Sequence, residues 1–315
     1  MADELANGSV ALHRLGRMGL IQFSGADAET FLHGQLTCDV AGLADGWSSY
    51  GAYCTAQGRV LANFLLWRVG SEYWMQLPRA LAAPIHKRLS MYILRAKVKA
   101  NDASERHTVL GITGDDASSV MAGVFGDAPG TLHEVRQSAD ATLIRLAPDR
   151  FEIVAPAEST TRICEALKAH ARETDAAHWD RLEIRAGIPW ITPPTQEQFV
   201  PQMVNLDLIG AVSLSKGCYP GQEIVARTHY RGQLKQRMFL ARLAVDDGVH
   251  AGDRLYSAEL GDQSSGMIVN AVRSPEGGHD VLAVVYLSST EKGDVHWKAL
   301  DGPRLEFGPL PYAVR

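Results

Sequence analysis

Hydrophobic periodicity changes character near Arg237. Upstream, strand-like and helix-like runs alternate. Residues 18–23, 50–55, 59–68, 72–77, 96–100, 107–113, 141–146 and 151–154 carry the apolar, β-branched and aromatic bias of strands. Gln57-Gly58 and Pro148-Asp149 supply turns between them. Ser24 precedes a helix-like stretch with Phe31, Leu32 and Leu36 on one face, and 78–91, 157–171 and 179–186 also read as helices. Downstream, helical periodicity fades. Short β-like runs at 238–243, 266–272 and 281–286 are separated by Gly, Asp and Ser. The pattern predicts an α+β chain in which 1–235 form two interleaved lobes and 236–315 form a small β-barrel. A length of 315 residues allows two or three domains.

Composition narrows the function. A formal net charge of −5 argues against non-specific coating of nucleic acid, which requires a strongly basic protein. The longest apolar runs, such as 62–67, fall far short of the ~20 residues that span a bilayer. The first ten residues contain Asp3 and Glu4 and no apolar core, so neither a signal nor a transit peptide is expected and a cytoplasmic, membrane-free protein is. Cys38, Cys54, Cys164 and Cys218 form no C-x-x-C pair and no zinc-ligand spacing with histidine, so no bound metal is predicted. Dinucleotide-binding, P-loop, zinc-protease and serine-hydrolase motifs are absent.

One stretch is chemically dense: Lys216-Gly217-Cys218-Tyr219-Pro220-Gly221-Gln222-Glu223-Ile224-Val225-Ala226-Arg227, with Gly232 beyond. Pro220 suits the first position of a helix, Glu223 its first turn, Glu223 and Arg227 an i, i+4 pair, and Gly232 a stop. Such a helix leaves Cys218 just before its N-terminus, where free N–H groups and the dipole favour a thiolate, with Lys216 adding to the effect. The residues alone leave open a second reading, a buried cysteine in a turn beside a solvated ion pair.

This stretch resembles the signature of the YgfZ family, relatives of the glycine-cleavage T-protein, the tetrahydrofolate-dependent aminomethyltransferase. Further pieces fit in order: Gly34-Gln35-Leu36-Thr37-Cys38-Asp39-Val40, Gln57-Gly58-Arg59, Arg181-Leu182-Glu183 with Ala186-Gly187-Ile188-Pro189, Phe199-Val200-Pro201-Gln202, Asn205-Leu206, and Pro309-Leu310-Pro311-Tyr312. The resemblance spans nearly the whole chain. It implies an aminomethyltransferase-like ring of three lobes around a central channel, closed by the C-terminal β-barrel, in a self-contained monomer. It implies tetrahydrofolate as cofactor. Cys218 takes the catalytic position, and Glu183, Asn205, Lys216, Tyr219, Gln222, Glu223 and Arg227 take cofactor-binding positions. Glu183 matches the glutamate that holds the pterin, whose amino-pyrimidine edge offers two parallel N–H donors to a carboxylate. The folate tail implies a basic rim, for which Arg227, His229, Arg231, Lys235 and Arg237 are candidates, with Lys87, Arg88, Arg95, Lys97 and Lys99 as a second cluster.

One departure matters. The T-protein carries paired aspartates after the glycines of its hairpin, one of them the catalytic acid, whereas the matching stretch here reads Gly58-Arg59-Val60-Leu61-Ala62-Asn63. Without that carboxylate, amine-to-folate transfer lacks its electrostatic and proton-handling partner. The resemblance thus implies a folate-binding accessory protein for the assembly or repair of iron–sulfur enzymes, including ones that modify tRNA. One cysteine cannot hold a cluster that normally takes about four thiolates, so any cluster is shared with a partner. Two alternatives stand beside it: a tetrahydrofolate-dependent aminomethyl or methyl transferase or demethylase, and a module that docks directly on tRNA or on a modifying enzyme through its basic clusters.

Overall fold

The computed structural model describes residues 10–231, 234–246 and 248–314. The N-terminal residues 1–9 and the stop at Gly232 read above lie outside these residues, as does the side chain of Arg231. The chain divides into two compact units, Met1–His33 with Asp39–Ser49 and Phe64–Trp179, and Gly34–Cys38 with Tyr50–Asn63 and Asp180–Arg315.

The first unit contains a six-stranded sheet in the order Arg172–Thr174, Ala11–Arg14, His107–Thr113, Arg150–Pro156, Thr142–Ala147, Val135–Gln137. All its pairs are antiparallel except the first. Helices Ala117–Phe125 and Ala157–Lys168 bury Met121, Ile163 and Leu167 against Leu110, Ile112, Phe151 and Ile153. Within the sheet Gly111 leaves room for Trp179, since a Cβ there would sit 2.4 Å from the indole ring. A second sheet runs Ser48–Cys54, Val60–Val69, Glu72–Pro78, Met18–Ser24, Lys99–Asp102, and helix Arg79–Ser90 packs on its Met18–Ser24 strand. The strands Ser48–Cys54 and Val60–Val69 each pass from one unit into the other.

In the second unit an antiparallel six-stranded half-barrel sheet runs His296–Trp297, Arg254–Tyr256, Ser264–Arg273, His279–Tyr286, Gln236–Leu243, Leu305–Gly308. Its two edges are tied by Trp297 N–H to Pro303 C=O (2.8 Å) and Leu305 N–H to Val295 C=O (2.8 Å). Leu243, Leu255, Ile268, Val281, Ala283 and Val285 fill its concave face.

The expected elements recur with small shifts. Strand 107–113 coincides with His107–Thr113. The strand expected at 96–100 starts later, at Lys99, because Asp27 accepts from Lys97 N–H (2.7 Å) and Val98 N–H turns back to Ala96 C=O (2.8 Å). Helix Ala117–Phe125 and strand Ala11–Arg14 were not anticipated.

A buried histidine makes the first unit sensitive to acid. His13 is fully enclosed, bonded to Thr113 Oγ1 (2.9 Å) and the Asp175 carbonyl (3.2 Å) and stacked on His178. Desolvation, opposed by the Asp175 carbonyl, lowers its pKa to about 4. The folded state keeps it neutral while the unfolded chain protonates near 6.5, so its contribution to stability is present above 6.5 and is lost as pH falls toward 4. Burial lowers His107 and His133 too, in the same sense. Urea unfolding followed from neutral pH to about pH 4 is expected to show a loss from His13 approaching ~1.4 kcal/mol per pH unit, flattened in His13→Gln. An unchanged slope in that variant would assign the acid sensitivity to other groups.

Candidate functional site

The dense segment forms a loop whose two flanks are fixed and whose centre is open. Lys216 is buried: its ammonium donates to the Leu36 carbonyl at 2.5 Å and lies 5.1 Å from the centre of the Tyr219 ring. That ring is buried beside the enclosed thiol of Cys54. Desolvation raises the Tyr219 phenol above its ordinary pKa, with the Cys54 charge acting the same way. Its hydroxyl has no hydrogen-bond partner among the described residues. Between these two buried side chains, Gly217 and Cys218 are exposed. Cys38, Cys54 and Cys164 are all buried, and burial pushes the Cys54 thiol up to about 12.

The next four residues make a tight turn. Gln222 N–H donates to Tyr219 C=O at 3.2 Å, Pro220 occupies the second position and Gly221 the third with φ +83°. Proline followed by a residue of positive φ is the signature of a type II turn. Helix Gln222–Arg231 therefore starts two residues later than the sequence suggested, because the Gly221 conformation cannot propagate a right-handed helix. Three residues now separate Cys218 from the first helical position, so what the fold gives this thiol is exposure between two fixed flanks rather than direct contact with a helix end. Gly221 also packs backbone to backbone: a Cβ on it would meet Thr55 O at 2.4 Å and Gly58 Cα at 2.7 Å. The hairpin glycine Gly58 and the signature glycine thus form one contact.

All the residues singled out for the site lie in the second unit. Gln222 is half-buried, with its amide 3.4 Å from the Lys216 carbonyl, and Glu223 and Arg227 are exposed on the following helix. Glu183 is buried on helix Ala176–Arg185. Asn205 is buried at φ +56°, its amide donating to Met238 C=O at 2.8 Å.

A cleft of about 510 Å³ opens in the same unit, lined among others by Gln202, Asp207, His229, Lys235, Arg237 and Ser288. It gathers three members of the expected basic rim, but Arg237 is already neutralised. Asp207 accepts from both of its terminal nitrogens, at 2.7 and 3.0 Å, and Gln202 C=O accepts from one of them at 2.7 Å. Gln202 donates to Val225 C=O, and its Oε1 is buried without a partner among the described residues. Sequence reasoning missed Asp207 and Ser288 and quoted Gln202 without giving it a site role, and no spacing rule links positions 207 and 237.

In the stretch expected to match the paired aspartates, Asn63 is structural. It is buried, donates from Nδ2 to Pro189 C=O (2.7 Å) and accepts at Oδ1 from Ile191 N–H (2.8 Å). Only an amide satisfies both partners, since an aspartate would present an acceptor to the Pro189 carbonyl. Both polar ends of the side chain are thereby committed to the backbone.

The model of the GCVT N-terminal domain matches residues 4–137. "tRNA-modifying protein YgfZ" of Edwardsiella ictaluri (strain 93-146) is 34% identical over 312 residues, covering 97% of this chain and 93% of that protein. The chain belongs to the YgfZ family. The YgfZ protein of Shigella sonnei (strain Ss046) is 30% identical over 310 residues, covering 97% of this chain and 94% of its own length. Glycine cleavage system aminomethyltransferase T from Bartonella henselae superposes with a TM-score of 0.78 at 19% identity, over 97% of this chain and 86% of that one, so this chain has the aminomethyltransferase T fold. Among the described residues no helix is long and apolar enough to cross a membrane.

Proposed function

We propose that this chain binds a reduced folate and, as an accessory factor for iron–sulfur enzymes that modify tRNA, acts through the thiol of Cys218. The observation that carries the reading is the signature loop. Two buried side chains, Lys216 and Tyr219, and one glycine that admits no substitution hold an exposed cysteine in a fixed place. A loop built that way around its single exposed nucleophile fits a reacting group better than a packing residue. The relatives' name, tRNA-modifying protein, supports the tRNA-modification setting.

The residues fit a pterin in kind. Glu183 supplies a buried carboxylate able to accept paired N–H groups, and Tyr219 supplies a buried hydroxyl without a partner among the described residues. Asn205, Gln222, Glu223 and Arg227 complete the proposed set, and the cations Arg227, His229 and Lys235 are the candidates for the carboxylates of the tail. A bound reduced folate supplies a one-carbon carrier. The ring of three lobes around a channel, with the C-terminal sheet as its barrel, the cytoplasmic setting and the monomeric state belong to this proposal as family expectations. The occupied amide of Asn63 counts against aminomethyl transfer as the alternative.

The test is Cys218→Ser. It is expected to abolish tRNA-modification function in cells, while calorimetry with tetrahydrofolate gives wild-type affinity and Glu183→Ala loses it. Full cellular function in Cys218→Ser sinks the role of the thiol, and unaltered folate affinity in Glu183→Ala sinks the pterin site.

A further inference from the structure

The second basic cluster is not absorbed by the folate reading, and the structure gives it a distinct character. From Tyr73 to Asn101 the sequence contains no Asp or Glu, while Arg79, Lys87, Arg88, Arg95, Lys97 and Lys99 are all cationic, within a chain of net charge −5. Arg79 pairs with Glu105. Lys87 and Arg88 sit in the last turn of helix Arg79–Ser90, where the dipole accounts for them. Arg95, Lys97 and Lys99 have no such explanation. They are exposed, make no ion pair among the described residues, and alternate with half-buried Ala96, Val98 and Ala100.

Beside them the same segment exposes large apolar side chains. Met91 is 60% exposed, Tyr92 49% and Leu94 87%. Leu94 is held at φ +44°, a left-handed backbone that leucine rarely adopts. The segment is nonetheless tied down. Tyr92 N–H donates to Leu89 C=O (2.9 Å), Ala96 N–H to Ile93 C=O (2.8 Å), and Lys97 is clasped through its backbone, its N–H to Asp27 and its C=O to the Asp27 N–H (3.3 Å). His86 bonds Ala100 C=O (3.0 Å), and Gly25 lies so close to Lys97 O that a Cβ would be 2.1 Å away. Asp27 already accepts from the Lys97 N–H, and Asp102 stands at the end of the strand.

We propose that segment 91–99 is a docking surface for an unpaired RNA strand, with the Tyr92 ring stacking on a base and Arg95, Lys97 and Lys99 holding phosphates. An exposed ring beside a row of free cations on an anchored backbone is the donor set that single-stranded nucleic acid needs. The complementarity is local, which reconciles it with the acidic net charge. Among polyanions RNA is the occupant because the curated relatives carry the name of tRNA-modifying proteins. The inference stands apart from the folate reading: here the chain itself touches RNA.

The experiment is fluorescence anisotropy of the full chain with a labelled, unmodified tRNA transcript across a salt series. Wild type is expected to bind with an affinity that falls steeply with salt. R95E/K97E/K99E should lose tenfold or more, with the log–log salt slope reduced by about two. Tyr92→Ala should lose about tenfold with the slope unchanged. Tetrahydrofolate binding, measured on the same variants, should stay at wild-type strength, so that either reading can fail alone. The proposal is overturned if wild type does not bind the transcript, or if both variants bind it as wild type does. It is equally overturned if the variants lose affinity only for phosphatidylserine vesicles, which would make the surface a membrane contact.

Discussion

Gly221→Ala is expected to cost about 3–5 kcal/mol of stability and to abolish function in cells. Two penalties add. At φ +83° an alanine strains the third position of the turn. Its Cβ would also lie 2.4 Å from Thr55 O and 2.7 Å from Gly58 N and Cα, all backbone atoms that no rotamer change can move aside. The turn or the hairpin must give way, and Cys218 moves with the turn. Gly58→Ala is the internal comparison. It shares the positive φ (+71°), but its Cβ meets the Ile224 side chain at 3.1–3.2 Å and the Gly221 carbonyl oxygen at 3.3 Å, contacts that shifts of a few tenths of an ångström relieve. Urea unfolding should rank the loss at Gly221 well above that at Gly58. The rate of alkylation of Cys218 by a thiol reagent should change in Gly221→Ala and stay near wild type in Gly58→Ala. Equal stabilities for the two variants would remove the claim that this turn fixes the thiol.

How much of this was legible in the sequence depends on how local the cause is. Strand His107–Thr113 was read to the residue because its alternation and β-branched content act within the segment. The change of pattern near Arg237 falls at the start of strand Gln236–Leu243, within a compact unit that already runs from Asp180. Helix Ala117–Phe125 was missed because Ala-Ser-Ser-Val-Met-Ala-Gly-Val-Phe carries only Ala117 and Met121 as fully buried contacts, too few for a clear stripe. The start of helix Gln222–Arg231 was misplaced because Pro-Gly satisfies two rules at once, a first helical turn and a type II turn. What decides between them is Gly58, more than 160 positions upstream in the sequence, whose backbone packs against Gly221.

The site divides along the same line. That Cys218 differs from the other three cysteines was readable from its glycine neighbours, and the exposure follows. That Lys216 spends its ammonium on the Leu36 carbonyl was not, since the partner is 180 positions away. Asn63 is the instructive case. The family resemblance reads Ala62-Asn63 only as non-acidic, whereas the structure gives Asn63 a positive role, bonded to Pro189 and Ile191. Asn63→Asp would place a carboxylate there at the expense of the clamp, because its oxygens cannot donate to the Pro189 carbonyl.

Asp207→Ala is expected to destabilise the protein by about 3–5 kcal/mol, and the double variant Asp207→Ala/Arg237→Met to recover most of that loss. The two side chains are only 12% and 10% exposed, so the Arg237 guanidinium depends on its carboxylate partner for compensation. With Asp207 gone, Arg237 retains the Gln202 carbonyl and a long 3.5 Å approach to Asn205 Oδ1, neither of which carries charge. A buried cation left in that state is the costly one, whereas removing both charges replaces the pair by apolar volume at little net cost. The chain around the pair makes the consequence functional as well. Arg237 reaches Gln202 and Asn205, so the single variant is expected to loosen the cleft floor and to weaken tetrahydrofolate binding if Asn205 belongs to the proposed site. A double-mutant cycle by urea unfolding reads the coupling directly: a coupling energy within about 0.5 kcal/mol of zero would show that the pair is screened by solvent and does not hold the cleft.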